Sequence, residues 1–238
     1  MSKPPVPFGY KVVIAILVPL AYLLLKRTWR GSENLPKGRG FIAAANHISS
    51  LDFLAVVHFL VWRARPPQAL AKQSLFDAPV VGLAMRAMGM IPVRRGTSSA
   101  GRSLEGAEKV LAGGGLVLVY PEGTVTRDPG QWPMRGRPGA VRLALDSGAP
   151  LIPVAQWGAQ RLLPRGRRFP RVWPRTEVQV VAGPAIDLSD LAVWEDRAAA
   201  VRVGTERLMG VLTEMVGRLR GEAPPAEPYN QFGPARAG

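Results

Sequence analysis

Short apolar runs that end in polar residues or glycine alternate with longer helical segments, and this alternation limits the possible folds of the chain more than any other feature. The apolar runs are residues 40–46, 116–123, 150–158 and 176–183, and the helical candidates are residues 50–63, 79–88, 98–112, 138–147 and about 190–220. Buried parallel strands are continuous apolar runs, and their alternation with helices is typical of a parallel sheet. The sequence therefore predicts an α/β fold with a mostly parallel central sheet flanked by helices.

The amino-terminal part contains an apolar segment, residues 12–25, that is preceded by Lys11 and followed by Lys26 and Arg27. As a helix it would rise about 21 Å, which is less than a bilayer core of about 30 Å, and Pro19 should kink it. We expect a membrane-associated helix that lies in one leaflet, with basic side chains facing lipid phosphates. A buried core helix and a membrane-spanning helix are the alternatives.

The composition divides the chain into three parts. Residues 1–30 are assigned to the N-terminal membrane-interface helix and residues 31–220 to one main domain, because a single core is the default for a chain of 238 residues. Residues 221–238 are rich in proline and glycine and lack apolar periodicity, so we expect a disordered tail.

Two features of the composition restrict the possible chemistry. The chain has no cysteine, which excludes disulfides, thiolate nucleophiles and cysteine metal sites. Its formal net charge is +14, from 31 basic and 17 acidic side chains. A chain of this charge prefers polyanions such as nucleic acid, an anionic bilayer or a phosphorylated substrate. A compositional bias towards arginine is the alternative explanation of the charge.

The chain has two histidines, His47 and His58, and Asp52 follows the first by five positions. A strand that ends at Asn46 would place His47 at the carboxyl end of the sheet, where open α/β folds bind ligands. There Asp52 could orient the imidazole of a general base. Alternatively, Ser49 and Asp52 form a capping box and His47 has no catalytic role. His58 lies in an apolar helix and is expected to be a core or surface residue.

Two later stretches combine a short strand with groups that bind anions. Arg94 and Arg95 follow an apolar strand, and they could hold a phosphate through bidentate hydrogen bonds or form a solvated basic turn. After the next strand, Gly123 and Thr124 could donate hydrogen bonds to phosphate. Glu122 could hold a nearby arginine there. The alternative is an ordinary turn between a strand and a loop.

The strand candidate at residues 150–158 contains two prolines, Pro150 and Pro153. Proline cannot donate a hydrogen bond to a strand ladder and is poorly tolerated in central strands. The sequence therefore predicts a bulge or a strand edge beside the site.

Together these stretches resemble the motifs of the glycerolipid acyltransferases, in particular the 1-acylglycerol-3-phosphate (lysophosphatidic acid) acyltransferases. The N-H-x-x-x-x-D motif corresponds to residues 46–52, the G-x-I-P-V-x-R-like block to 89–95, the F/Y-P-E-G-T-R-S block to 120–126, and the V-P-I-I-P-V-like block to 149–154. The resemblance covers residues 40 to about 155. It implies that His47 and Asp52 are the catalytic pair.

One position departs from the family pattern. The arginine that follows P-E-G-T in the family is replaced here by Val125, and Arg127 lies two positions further on. Either Arg127 substitutes for it, or the phosphate is held by other arginines, including Arg137 in a block that resembles the family's F-K-x-G-A segment. The phosphate-binding residues that the resemblance implies are Arg94, Arg95, Glu122, Gly123, Thr124, Arg127 and Arg137.

The resemblance implies direct acyl transfer from a thioester, either acyl-CoA or acyl-carrier protein, to the free hydroxyl of 1-acylglycerol-3-phosphate. His47 would accept the hydroxyl proton and Asp52 would orient His47, without an acyl-enzyme, a metal or a cofactor. The expected partners are membrane lipid, the lysophospholipid acceptor and the acyl donor, with no nucleic acid. The expected location is the cytoplasmic face of the plasma membrane.

Two alternatives stay open from the sequence. The same chemistry could use glycerol 3-phosphate, another lysophospholipid or a glycolipid, and an acceptor without phosphate would not need Arg94 and Arg95. The chain could instead be a basic membrane- or nucleic-acid-binding module without catalysis. Such a module would lose its ligand in high salt and would transfer no acyl group.

Overall fold

The computed structural model describes residues 6–93 and 99–233, which form helices around one sheet. The strands are β1 (Leu25–Arg30), β2 (Phe41–Ala45), β3 (Pro67–Lys72), β4 (Ile91–Val93), β5 (Leu116–Val119), β6 (Leu151–Trp157) and β7 (Thr176–Ala182). The helices are α1 (Phe8–Leu24), α2 (Asp52–Arg63), α3 (Gln73–Phe76), α4 (Pro79–Ala87), α5 (Ser99–Ala112), α6 (Gly139–Ser147), α7 (Ala159–Leu162), α8 (Ser189–Ala192) and α9 (Arg197–Arg220), with a short 3₁₀ turn at Ser32–Asn34.

The strand order is β1-β7-β6-β2-β5-β3-β4, with β2 at the centre of the sheet. Among the described strands, β6 and β7 pair antiparallel and the other neighbouring pairs are parallel. The predicted α/β fold with a mostly parallel sheet is therefore confirmed. The five predicted strands, including the short strand before Arg94, and the predicted helices are present with bounds that differ by a few residues, and the last predicted helix is divided into α8 and α9.

Helices cover both faces of the sheet, because its central strands are apolar on both sides. In β2, Phe41 and Ala43 belong to the core that α1 and α2 complete, whereas Ile42 and Ala44 belong to the core of α5, α6 and α9. All residues of β2 are buried, as expected for a parallel strand between two helical layers. Polar residues that follow β2 therefore emerge at the carboxyl end of the sheet.

The sequence pattern did not predict β1 and β3. β1 lies at the edge of the sheet, so its residues alternate between buried and more exposed positions and include two arginines and a lysine. β3 begins at Pro67 and is only partly buried along most of its length. Neither strand shows the continuous apolar run that marks the central strands.

β6 is an interior strand although it contains Pro153, so the prediction of a sheet edge at this proline is wrong. The antiparallel ladder with β7 begins with Val154 opposite Ala182. Pro153 lies just beyond that ladder, where its carbonyl accepts a hydrogen bond from Gly183 N (2.8 Å). The proline is tolerated because its missing N–H falls where the β7 ladder has ended.

The N-terminal helix α1 ends at Leu24, and residues 25–30 form β1, which pairs in parallel with β7. Tyr10, Ala21 and Leu24 are buried, and the Tyr10 hydroxyl donates a hydrogen bond to the Pro67 carbonyl (3.0 Å). The predicted boundary at residue 30 therefore does not separate the helix from the sheet. Within residues 6–93 and 99–233, no helix combines the length and the apolar character that crossing a bilayer requires.

Residues 221–233 return to the loop that follows β5, although the composition predicted disorder for this tail. Arg135 N donates to the Tyr229 carbonyl (3.0 Å), and Gln231 Nε2 donates to the Glu122 and Arg135 carbonyls (2.9 Å each). These contacts are polar, which explains why apolar periodicity does not indicate them. Residues 234–238 lie outside the described residues.

His58 is a core residue of α2, which is one of the two roles expected for it. It is 3% exposed, and its ring centroid lies 4.8 Å from that of Trp29 and 5.1 Å from that of Tyr22. Its Nε2 is 3.5 Å from Arg27 Nη1. Burial, and secondarily the Arg27 guanidinium, lower the pKa of His58 from 6.5 to about 4.

This lowered pKa predicts an acid-dependent loss of stability. Between pH 6.5 and about 4 the unfolded chain protonates His58 and the folded chain does not, so the free energy of unfolding should fall as the pH decreases. His58→Phe removes this contribution. Urea unfolding of both proteins across this pH range should show the stability of the wild type falling relative to that of the variant. If the free energies of unfolding of the two proteins change with pH in parallel, the prediction is contradicted.

Candidate active site

Three neighbouring strands end in polar residues at the same edge of the sheet. Asn46 and His47 follow β2, Glu122 lies shortly after β5, and Gln156 lies near the end of β6. Because β2 pairs in parallel with both β5 and β6, the carboxyl ends of the three strands meet. This is where open α/β sheets bind their ligands.

The side chains of His47 and Asp52 are joined by a hydrogen bond. His47 Nδ1 lies 2.8 Å from Asp52 Oδ2, and the Asp52 side chain is fully buried whereas that of His47 is 21% exposed. The same oxygen accepts hydrogen bonds from the backbone N–H groups of Ile48 (2.9 Å) and Ser49 (3.3 Å). A carboxylate held in this way favours the imidazole tautomer with its proton on Nδ1.

Asp52 is also the first residue of α2, and it closes the turn before the helix. Its carboxylate accepts from Ser49 N, as in a capping box, but the Ser49 hydroxyl accepts from Leu51 N (3.3 Å) and donates to the Leu163 carbonyl (3.3 Å). The box is therefore only half formed. The two interpretations of this stretch coexist, because the capping bonds hold Asp52 in the orientation in which it contacts His47.

Gln156 is a site residue that the sequence did not indicate. Its side-chain amide donates to Asp52 Oδ2 (3.3 Å), and its backbone N–H and carbonyl bond to the Asn46 side chain at 2.8 and 3.1 Å. Gln156 and Asn46 are both fully buried. The Asn46 amide thus extends the β2–β6 pairing by one residue and brings Gln156 against Asp52. Only the pairing of these strands places the two residues together.

Glu122 is fully buried and supports the backbone of the site. Its Oε1 accepts from His47 N (2.8 Å) and its Oε2 accepts from Met134 N (3.0 Å). Burial raises the pKa of Glu122 from 4.5 to about 7, against the opposing effect of these two N–H groups. Both carboxylate oxygens thus accept from backbone N–H groups, a role that the sequence did not indicate, and the expectation that Glu122 also holds an arginine stays a prediction.

Tyr120 packs against the imidazole. The two ring centroids are 4.4 Å apart with an interplanar angle of 30°, and the Tyr120 hydroxyl is buried. Burial, and secondarily the Asp52 carboxylate, raise the pKa of Tyr120 well above its usual value. Tyr120 thus remains a neutral phenol beside the His47–Asp52 pair and limits the positions open to the imidazole ring.

The loop that follows β5 is bonded to the segment after β2. Thr126 N donates to the His47 carbonyl (2.7 Å), and the Thr126 hydroxyl donates to the Trp132 carbonyl (2.7 Å). Gly123 has a φ of 71°, a conformation that favours glycine. Thr124 is half-buried in the same loop. Two of the predicted phosphate-binding residues therefore lie in a loop that is fixed to the backbone of His47.

Two predicted phosphate-binding arginines are exposed beside this loop, Arg127 and Arg137. Arg165, which the sequence did not indicate, joins them, because its Nη1 donates to the Arg127 carbonyl (3.5 Å). Arg94 and Arg95 lie outside the described residues. Among the described residues, no group of three or more histidine, aspartate or glutamate side chains could hold a metal ion.

Comparison with known protein families agrees with this arrangement. Residues 26–157, more than half of the chain, match the model of the acyltransferase family. The chain belongs to the acyltransferase family. The matched residues include His47, Asp52, Glu122 and Gln156.

Relatives of this acyltransferase carry a consistent name. A 1-acyl-sn-glycerol-3-phosphate acyltransferase of Borreliella burgdorferi is 31% identical over 166 residues, which cover 69% of this chain and 63% of the relative. A 1-acyl-sn-glycerol-3-phosphate acyltransferase alpha of Homo sapiens is 30% identical over 147 residues, which cover 60% of this chain and 50% of the relative. The chain therefore spans half to somewhat under two thirds of the length of these two relatives.

A solved structure resembles the acyltransferase along most of its length. The 1-acyl-sn-glycerophosphate (LPA) acyltransferase PlsC from Thermotoga maritima matches with a TM-score of 0.65 and 25% sequence identity. The match covers 91% of this chain and 83% of that chain. The similarity extends well beyond residues 26–157, and it agrees with the observed α/β architecture.

An apolar cleft of the acyltransferase, with a volume of about 580 Å³, lies between α1, the start of α2 and the loop before β7. Leu51, which lines the cleft, precedes Asp52 directly, and Leu163, which also lines it, accepts the hydrogen bond from Ser49. The cleft is therefore connected to the segment that carries the His47–Asp52 pair. Its lining residues are Leu17, Leu20, Leu23, Leu24, Leu51, Phe53, Leu54, Leu163, Arg168, Pro170, Val172 and Trp173.

Proposed function

We propose that this acyltransferase moves a fatty acyl group from acyl-CoA or acyl-carrier protein to the free hydroxyl of 1-acylglycerol-3-phosphate and so forms phosphatidic acid. The observation that carries the proposal is the 2.8 Å hydrogen bond between His47 and the buried Asp52 at the carboxyl end of β2. The names of the relatives favour this acceptor among those that the chemistry allows.

In the proposed reaction His47 is the general base. As the substrate hydroxyl oxygen attacks the thioester carbonyl carbon, its proton passes to Nε2 of His47, and Asp52 stabilises the imidazolium through Nδ1. The tetrahedral intermediate then expels the thiol sulfur, which receives the same proton from His47. An ester and a free thiol are formed, and no acyl-enzyme is involved.

The acceptor phosphate would be bound beside the loop that follows β5. Arg127 and Arg137 are exposed there, Thr124 is half-buried, and the loop is bonded to the His47 backbone through Thr126. Arg94, Arg95 and Gly123 complete the proposed set, while Glu122 holds the backbone. Such positioning of a hydroxyl against its base is worth several powers of ten in rate.

The apolar cleft beside Leu51 and Leu163 is the proposed site of an acyl chain. Its lining is almost entirely apolar, and its volume of about 580 Å³ lies within the range of small-molecule sites. The chain would extend away from the His47–Asp52 pair, between α1 and α2, with its carbonyl carbon at the base.

We also propose that α1 associates with the cytoplasmic face of the plasma membrane, where lysophospholipids are found. Apolar side chains recur on its exposed side at helical spacing, which is typical of interfacial helices. These residues are Phe8, Val12, Ile16, Leu20 and Leu23, and they are 40–81% exposed.

Replacement of Ile16 and Leu23 together by aspartate should weaken binding to anionic phospholipid vesicles about tenfold or more, because two exposed side chains lose their apolar transfer energy. Vesicle co-sedimentation measures the partition coefficient. Val193→Asp is the matched control, since Val193 is 82% exposed but lies after α8. Equal binding of all three proteins would contradict the proposed membrane surface.

The function is tested by incubating the purified, detergent-held chain with oleoyl-CoA and lysophosphatidic acid and detecting phosphatidic acid by mass spectrometry. Parallel reactions use glycerol 3-phosphate, lysophosphatidylcholine and monoacylglycerol as acceptors and acyl-carrier protein as donor. Preferential formation of phosphatidic acid supports the proposal. A preference for another acceptor would replace the substrate but keep the chemistry. Salt-sensitive lipid binding without any transfer would instead favour a binding module.

A further inference from the structure

The tail segment, defined here as residues 229–232, contacts the loop in which the acceptor phosphate is proposed to bind. Gln231 Nε2 donates to the Glu122 and Arg135 carbonyls (2.9 Å each), and Arg135 N donates to the Tyr229 carbonyl (3.0 Å). The guanidinium carbon of Arg137 lies 4.9 Å from the centroid of the Phe232 ring. The tail segment therefore contacts both the backbone of the loop and one of its arginines.

These contacts join two stretches of chain that are already connected near His47. The Glu122 carboxylate bonds to His47 N and Met134 N, and Arg137 N donates to the Pro121 carbonyl (2.8 Å). Gln231 adds a third connection, from the Glu122 carbonyl to the segment that contains Arg137. The backbone near Arg137 is thus bonded both to Glu122, which also contacts His47, and to Gln231 of the tail segment.

The Phe232 ring acts on the side chain of Arg137 rather than on its backbone. Arg137 is exposed, and an exposed arginine samples many rotamers unless its guanidinium has a partner. An aromatic face within about 6 Å attracts a guanidinium and restricts these rotamers. A guanidinium held near the ring in this way keeps N–H groups available, and a phosphate can accept hydrogen bonds from them.

We propose that Gln231 and Phe232 are positioning residues for the acceptor phosphate, with Gln231 holding the loop backbone and Phe232 holding the Arg137 guanidinium in its binding orientation. This inference rests on the proposed function, because it assigns Arg137 a phosphate ligand. The tail segment contacts no reacting atom. It selects acceptors that carry a phosphomonoester by keeping an exposed arginine pre-oriented.

The test compares Phe232→Leu with Phe232→Tyr, which keeps an aromatic face, in the full-length chain. Binding of a short-chain lysophosphatidic acid is measured by calorimetry, and KM is measured separately for lysophosphatidic acid and for oleoyl-CoA. Phe232→Leu should raise Kd and KM for lysophosphatidic acid about three- to fivefold. The KM for oleoyl-CoA and kcat should not change, and Phe232→Tyr should match the wild type.

A double-mutant cycle with Arg137→Ala separates positioning from general stability. In the Arg137→Ala background, Phe232→Leu should have no further effect on Kd, because the ring acts only through the guanidinium. Gln231→Leu should raise the same Kd. An equal effect of Phe232→Leu with and without Arg137, or no effect in either background, would overturn the inference.

The binding measurement keeps this inference separable from the proposed function. If the wild type binds the lysophosphatidic acid but forms no phosphatidic acid, the proposed reaction fails, and the dependence of Kd on Phe232 still decides the role of the tail segment. If the wild type binds no lysophosphatidic acid, the positioning role is overturned as well.

Discussion

Replacement of His47 by alanine should lower the rate of acyl transfer about 10³-fold or more, the largest effect expected for any single substitution in this chain. The imidazole at the carboxyl end of β2 combines a buried carboxylate partner with partial exposure. Loss of a positioned general base typically lowers rates by about 10² to 10⁴. The measurement is phosphatidic acid formation at saturating oleoyl-CoA and lysophosphatidic acid.

Asp52→Asn tests the same mechanism by changing which nitrogen of the His47 imidazole carries the proton. An asparagine whose amide nitrogen takes the place of Asp52 Oδ2 would present an N–H group to His47 Nδ1, and Ile48 N and Ser49 N would lose the acceptor that they share with the imidazole. The neutral imidazole would then carry its proton on Nε2, where it cannot act as a base. We expect a decrease in kcat of about 10² to 10⁴, with little change in KM.

His58→Phe is the control for both substitutions, because it removes the other histidine in the chain from a buried position in α2. Its activity near neutral pH should remain close to that of the wild type. Retained acyl transfer in folded His47→Ala would exclude His47 as the base. The stretch that contains Asp52 would then have only its structural role at the start of α2.

Glu122→Gln should combine a large loss of activity with a loss of stability. A glutamine offers one carbonyl oxygen where the carboxylate offers two, so either His47 N or Met134 N loses its acceptor in a buried position. An unsatisfied buried backbone N–H costs about 1–3 kcal/mol of the free energy of unfolding. A displaced His47 backbone lowers turnover about 10²-fold, since misplacement by about 1 Å has effects of that size.

The difference in the free energy of unfolding between the wild type and Glu122→Gln should depend on pH with a defined sign. Burial raises the pKa of Glu122 from 4.5 to about 7, so between these values the folded wild type binds a proton that the unfolded chain lacks. The stability of the wild type should therefore decrease relative to that of Glu122→Gln as the pH rises from about 4.5 to about 7. Urea unfolding of both proteins at several pH values measures this change.

Glu214→Gln is the matched control for Glu122→Gln. The Glu214 carboxylate is 68% exposed and lies 3.9 Å from Arg218 on α9, so its loss should change stability by less than about 0.5 kcal/mol. Unaltered activity and stability in Glu122→Gln, similar to those of Glu214→Gln, would show that the carboxylate does not support the His47 backbone.

Sequence periodicity predicted the central strands of the fold and missed β1 and β3. Central strands such as β2 are buried on both faces, so their residues are continuously apolar and can be recognised without a structure. The edge strand β1 alternates between more buried and more exposed residues, and β3 is mostly half-buried. The tail at residues 221–233 is held by polar contacts to backbone carbonyls, which leave no periodic pattern in its composition.

Local spacing indicated the candidate site where its residues are close in sequence, and failed where they are distant. His47 and Asp52 are five residues apart, so the turn between β2 and α2 alone can bring them together. Gln156 and Asp52 are 104 residues apart, and no local signal marks Gln156. The contact of Glu122 with His47 N was not predicted for the same reason, since the two residues are 75 positions apart.

The sequence by itself therefore determined the fold class, the family resemblance and the His47–Asp52 spacing, because these depend on periodicity and on short covalent distances. The tertiary structure alone decided that Glu122 binds backbone N–H groups, that Gln156 contacts Asp52, and that residues 229–232 reach the loop after β5. These contacts arise from the pairing of β2 with β5 and β6 and from the path of the chain after α9. Pairing of distant segments is a property of the whole packed core, so it is not encoded in any one stretch of the chain.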